Sequence, residues 1–112
     1  MPDWVGAFPG AVTVTDRDLK IVYMNGQSLE VFKADGGASL IGTDLMACHN
    51  DNSKAIIRKL MAEGGSNAYT IEKAGRKKFI YQCAWKDAAG EVGGLVELSV
   101  VIPFDMPHFK RG

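Results

Sequence analysis

A chain of 112 residues, 46% hydrophobic and 23% charged, has room for one hydrophobic core and not two. Thirteen Lys and Arg balance thirteen Asp and Glu, so no global field draws the chain to nucleic acid or to an acidic membrane surface. No window approaches the roughly 20 apolar residues that span a bilayer, and two cysteines form neither a disulfide framework nor a zinc ribbon. The expectation is a single domain over residues 1–112, soluble and cytoplasmic, with reduced thiols, residues 1–10 as an N-terminal cap and 103–112 as a short tail.

In chain order, "AVTVTD" at 11–16 alternates apolar and polar residues, and "LKIVYMN" at 19–25 is β-branched and aromatic; "DRD" between them suits a tight turn, predicting a hairpin. From Gly26 the spacing of Leu29 and Phe32 predicts a short helix, stopped by "ADGGAS". "LIGTDLMACHND" holds one or two helical turns. In "NSKAIIRKLMAEGG" the pairs Ile56/Leu60 and Ile57/Met61 recur at i, i+4, predicting an amphipathic helix capped by Asn52 or Ser53 and ended by Gly64-Gly65. Three strands follow: "NAYTIEK", "KKFIYQCAWK" and "VGGLVELSVVI", joined by "AGR" and "DAAGE" and closed by Pro103. Phe79, Tyr81, Cys83 and Trp85 share one face of the middle strand, and Ile80, Gln82 and Ala84 the other. Glu97 and Ser99 interrupt the last strand. The class is α+β.

The order carried by "VTVTDRDLKIVYMNGQSLEVF", then "SLIGTDL", a helix, and "IYQCAWKDAAGEVGGLVELSV" resembles a PAS domain across nearly the whole chain. Asn25 closing the second strand, "LIG" before the central helix, and Gly90 with Gly93-Gly94 in the last hairpin carry the resemblance. It implies a five-stranded antiparallel sheet with short helices and one longer central helix on one face, and a cavity between them. PAS domains use that cavity for haem, flavin or small metabolites, and often use the opposite sheet face to dimerise or to contact an effector. On this frame the pocket residues are Met24, Asn25, Phe32 and Leu45, with Met46, Ile56, Leu60 and Gln82.

Fold does not choose the ligand, so individual residues must. A haem needs an axial ligand such as a neutral imidazole, and His49 is the one reasonable candidate. Alternatively His49 is a polar residue at a helix entrance, donating to a nearby carbonyl. Aligning the central helix with that of oxygen-sensing haem PAS proteins puts Ser53, not His49, at their ligand position, while other haem PAS proteins place it earlier. "ACHNDNSK" is also similar to a PAS subgroup with Cys-His at the start of that helix. The photoactive cysteine of flavin light sensors needs an Arg and a Gln soon after it, and "CHNDNS" has neither, so Cys48 does not indicate flavin. Cys48 and Cys83 read as packing thiols. Gln82 points into the cavity if Ile80, Gln82 and Ala84 face the helices; otherwise it sits at an edge or pairs with a neighbouring chain. The outer face of Phe79, Tyr81 and Trp85, with Val12 or Val14, needs a cover: either the N-terminal "DWVGAFP" or a second subunit in a two-fold homodimer.

A sensory or regulatory PAS module is the leading functional expectation, signalling through dimer or effector contacts, with no nucleic acid and no membrane. The alternative is a ligand-free dimerisation or interaction domain. No Ser-His-Asp or paired-carboxylate arrangement and no phosphate-cradling glycine motif points to an enzyme, and His108 lies in a Pro-flanked tail. Gly94 is expected to mark a close approach of the last strand to a helix.

Overall fold

The computed structural model describes residues 3–112, with Cys48 described by its backbone alone. Strands β1 (Ala11–Thr15), β2 (Ile21–Met24), β3 (Ser66–Lys73), β4 (Arg76–Lys86) and β5 (Val92–Ile102) form one antiparallel sheet in the order β2-β1-β5-β4-β3. Helices α1 (Trp4–Ala7), α2 (Gly26–Val31) and α3 (Asp51–Glu63) accompany it, with short 3-10 turns at Lys33–Asp35, Gly37–Leu40 and Leu45–Cys48. The expected α+β class and five-stranded antiparallel sheet are what the chain forms. Among the described residues no helix is long and apolar enough to cross a membrane.

Local chemistry sets each connection. The Asp16 carboxylate accepts from the amides of Asp18 and Lys20 and closes the β1–β2 turn. Ala74 and Gly75, at φ 53° and 76°, form the two-residue turn that suits the twist of the β3–β4 hairpin. Asp87 accepts from Ala89 and Glu91 in the last turn. Helix α3 is capped by Asn50, whose Oδ1 accepts from the Ser53 amide at 2.8 Å. The cap therefore lies ahead of Asn52 and Ser53, because Asn50 is the last extended residue and both expected caps fall inside the first turn. The helix ends as expected at Gly64, with φ 77°.

The core joins α3 to the sheet: Ile57 and Leu60 pack with Ile21, Met24, Leu45 and Leu95. Cross-strand register shows how the inner face is built. Asn67 on β3 opposes Gln82 on β4, which opposes Glu97 on β5, which opposes Thr13 on β1, which opposes Met24 on β2. One row of side chains crosses the whole sheet under the helices, four of its five members polar. On the outer face Phe79, Tyr81, Cys83, Trp85, Val96 and Leu98 are half-buried. Of the N-terminal segment expected to cover them, Trp4 is 69% exposed because α1 packs on α2, while half-buried Phe8 lies beside Gly10 and Val100 at the margin of this face.

Candidate functional site

Between the sheet and the segments joining α2 to α3 lies a cavity of about 280 Å³, walled by Ile21, Met24, Phe32, Leu40 and Leu45. Its polar lining is Thr13 and Glu97 from the sheet, Asp35, Thr43 and Asp44 from the short turns, and His49. A second, shallower cavity of about 240 Å³ lies between the start of α3 and β3, lined by Asn52, Ser53, Ile56, Asn67, Tyr69 and Gln82.

The transverse row links the two. Asn67 Nδ2 donates to Gln82 Oε1 at 3.0 Å, and Gln82 Nε2 donates to Glu97 Oε2 at 3.1 Å. Gln82 is 3% exposed, so both halves of its amide are held by protein groups and its orientation is fixed. Glu97 connects the two sites: it lines the first cavity, and its Oε2 accepts from Gln82, which lines the second. Among the described residues the one ion pair joins Arg17 to Asp87, on the surface, so no protein cation neutralises Glu97. Burial, and after it the negative charge of Glu97, raise the Tyr69 phenol above its ordinary pKa and favour the neutral hydroxyl. On the row's other side Thr13 Oγ1 and Ser28 Oγ share a 2.6 Å hydrogen bond that ties the sheet to α2.

His49 lines the main cavity and is half-buried. Its Nδ1 lies 2.8 Å from the Leu45 carbonyl oxygen, which can only accept, so Nδ1 carries the proton. In the neutral ring that leaves Nε2 as the acceptor. Among the described residues no group of three or more His, Cys, Asp or Glu side chains could hold a metal ion. The side chain of Cys48 lies outside the described residues, and with it any test of flavin chemistry there.

Of the expected pocket residues, Met24, Phe32 and Leu45 line the main cavity, as does the candidate haem ligand His49, and Ile56 and Gln82 line the second. Asn25, Met46 and Leu60 line neither. Asn25 is 2% exposed and fully engaged: Oδ1 accepts from the Val12 and Ser28 amides, while Nδ2 donates to the Val5 and Gly10 carbonyls. It caps α2 and ties down the N-terminal segment, with no capacity left for a ligand. Leu60 is buried in the core and Met46 packs against it, so both support the site from behind. Sequence reasoning missed Glu97, Thr13, Ile21, Asp35, Leu40, Thr43 and Asp44. Glu97 carried a signal, a lone charge at an inward position of an apolar strand, but only the β4–β5 register places it beside Gln82.

Comparison with known proteins adds the fold and no more. No family model matches the chain, and no curated protein sequence matches it. Solved structures do. The PAS domain of BvgS from Bordetella pertussis superposes with a TM-score of 0.64 at 17% identity, over 88% of this chain and 81% of that one. The Aer2 receptor of Vibrio cholerae, described as a dual PAS-haem oxygen sensor, gives 0.62 at 17%, over 84% and 95%. VqmA of Vibrio cholerae, in a structure bound to DPO, gives 0.68 at 15%, over 88% of this chain and 55% of VqmA. The fold is PAS-like, in agreement with the resemblance read from the sequence.

Proposed function

We infer that the chain is a sensory or regulatory module that binds a small molecule between sheet and helices. The observation that supports this best is the main cavity itself, mostly apolar walls with a few fixed polar groups, the composition by which small-molecule sites combine affinity with orientation. A ligand there touches the transverse row of the sheet and the short turns before α3 at once. It therefore favours the arrangement of these elements that closes on it, the differential affinity that a switch requires. The likenesses to a haem oxygen sensor and to a DPO-bound protein are in keeping with such a role. This reading makes the chain a binding module rather than an enzyme.

The output we assign to the outer sheet face. Phe79 and Tyr81 lie there with ring centroids 6.1 Å apart and planes tilted by 52°, beside half-buried Val12, Val96 and Leu98. A second copy on a two-fold axis covers that apolar strip. Trp85, expected as part of it, is turned to its own chain, donating to the Thr15 carbonyl.

Haem is the competing occupant, and one observation favours it: the Leu45 carbonyl holds His49 Nδ1–H, which in the neutral ring leaves Nε2 free as an axial ligand requires. The rest of the lining does not fit. The cavity offers the carboxylates of Asp35, Asp44 and Glu97 and, among its described lining residues, no Lys or Arg to meet the two propionates. Native mass spectrometry and absorption of the purified chain, before and after adding haem, test the reading. The expected result is no stoichiometric haem uptake and no Soret band; uptake with a Soret band that His49→Ala abolishes would overturn it. A bare chain that binds no small probe would instead support a dimerisation domain without a ligand.

A further inference from the structure

The small-molecule reading above leaves the chemistry of the occupant open, and the hydrogen-bond inventory of the main cavity narrows it. Consider where each polar lining group has its hydrogens. The neutral His49 ring would use its one N–H on the Leu45 carbonyl. The Thr43 hydroxyl donates to the Leu40 carbonyl at 2.6 Å. Thr13 and Ser28 share one bond, leaving a single hydroxyl hydrogen between them. Glu97, Asp44 and Asp35 have none as carboxylates, and no Lys or Arg is among the described lining residues. Nearly everything polar that faces the cavity is an acceptor.

Of the three carboxylates Glu97 is the half-buried one, Asp35 and Asp44 being exposed. Gln82 satisfies Oε2, and among the described residues no hydrogen bond reaches Oε1. The Gln82 amide cannot turn to offer more, since Asn67 holds its oxygen. A carboxylate in an apolar-walled cavity, with one oxygen unpaired and no cation beside it, is what a donor-bearing cation stabilises by a charge-assisted hydrogen bond. Phe32 supplies an aromatic wall for the body of such a molecule.

We propose that the cavity is specific for a small organic cation, an amine or amidinium with an apolar body, whose N–H groups are donated to Glu97. This rests on the small-molecule reading and goes further, because an acid of the same shape would be rejected: it would meet acceptors and like charge on every polar side.

Three probes of similar shape separate the two statements. Benzamidine is a cation with N–H donors, benzoate an anion with acceptors only, and toluene has neither. Thermal shift and calorimetric titration of the full chain are expected to show binding in the order benzamidine, toluene, benzoate, with benzamidine at least about tenfold tighter than toluene. Glu97→Gln keeps an acceptor for Gln82 while removing the charge, and is expected to lose most of that margin. If toluene or benzoate binds as well as benzamidine, or if folded Glu97→Gln keeps the full margin, the cation proposal is overturned and the small-molecule reading stands. If none of the three binds at millimolar concentration, both fail. Should Glu97→Gln not fold, the order of the three probes on the unmodified chain still decides.

Discussion

The indole Nε1 of Trp85 donates to the main-chain carbonyl of Thr15 at 3.0 Å, across 70 positions of sequence, and the two residues enclose Gly94. A Cβ on Gly94 would collide with the Thr15 carbonyl and lie 2.6 Å from Trp85 Nε1. The close neighbours are therefore an indole and a strand backbone, not the helix that the sequence suggested. Gly94→Ala is expected to destabilise the fold by about 3 kcal/mol, since backbone atoms cannot yield as a flexible side chain does. In a chain of this size that is a fall in Tm of about 10 °C or more. An unchanged Tm would mean that β1, β4 and β5 do not meet as described.

Asn25 predicts a divided result. Asn25→Ala orphans the Val12 and Ser28 amides and the Val5 and Gly10 carbonyls in a buried setting, a loss of about 2–4 kcal/mol measured by urea denaturation. Asn25→Asp keeps the acceptor for Val12 and Ser28 and loses the donor to Val5 and Gly10. Amide exchange is then expected to accelerate in α1 and stay slow at Ser28. Equal acceleration at both sites would contradict the separate roles given to the two amide atoms.

Tyr69 gives a prediction with a sign. Its raised pKa means that folding favours the neutral phenol, so this contribution to stability is fully present below about pH 10 and is lost as pH rises through the folded value. Glu97→Gln removes the lesser cause and leaves burial, so Tyr69 is expected to titrate at lower pH in the variant while staying above its ordinary value. Carbon-13 NMR of labelled tyrosine reads this directly. No change would show that Glu97 exerts no field at Tyr69.

The outer face is tested by oligomeric state. Tyr81→Arg places a charge in the strip with Phe79 and Leu98 and is expected to convert a dimer to monomer in sedimentation, with Tm changed by no more than a few degrees. A variant that stays dimeric would move the contact elsewhere.

The sheet was legible because its strands carry their own signals: alternation in 11–15, the Ala74-Gly75 turn, and the glycines of the last hairpin. The site was legible only where a single residue stood out from its own strand. Gln82 did so and lies on the inner face, one of the two placements left open for it. Glu97 stood out equally, but its meaning depends on register with β4, which pairing across the sheet decides and local pattern does not. Asn25 misled in the opposite way: a buried polar residue near a pocket looks like a ligand group until its four partners, drawn from three separate segments, are counted. The irregular stretch from Lys33 to Asn50 has no period to read, yet it supplies Asp35, Leu40, Thr43, Asp44 and His49 to the cavity.

The most direct test of the central claim is a methyl NMR titration of the Ile-, Leu- and Met-labelled chain with benzamidine. Shifts are expected to concentrate at Ile21, Met24, Leu40 and Leu45, which wall the cavity, with Ile71, Leu98 and Met106 unmoved. Shifts confined to Leu98 and the outer face, or a spectrum that saturating probe leaves unchanged, would contradict the claim.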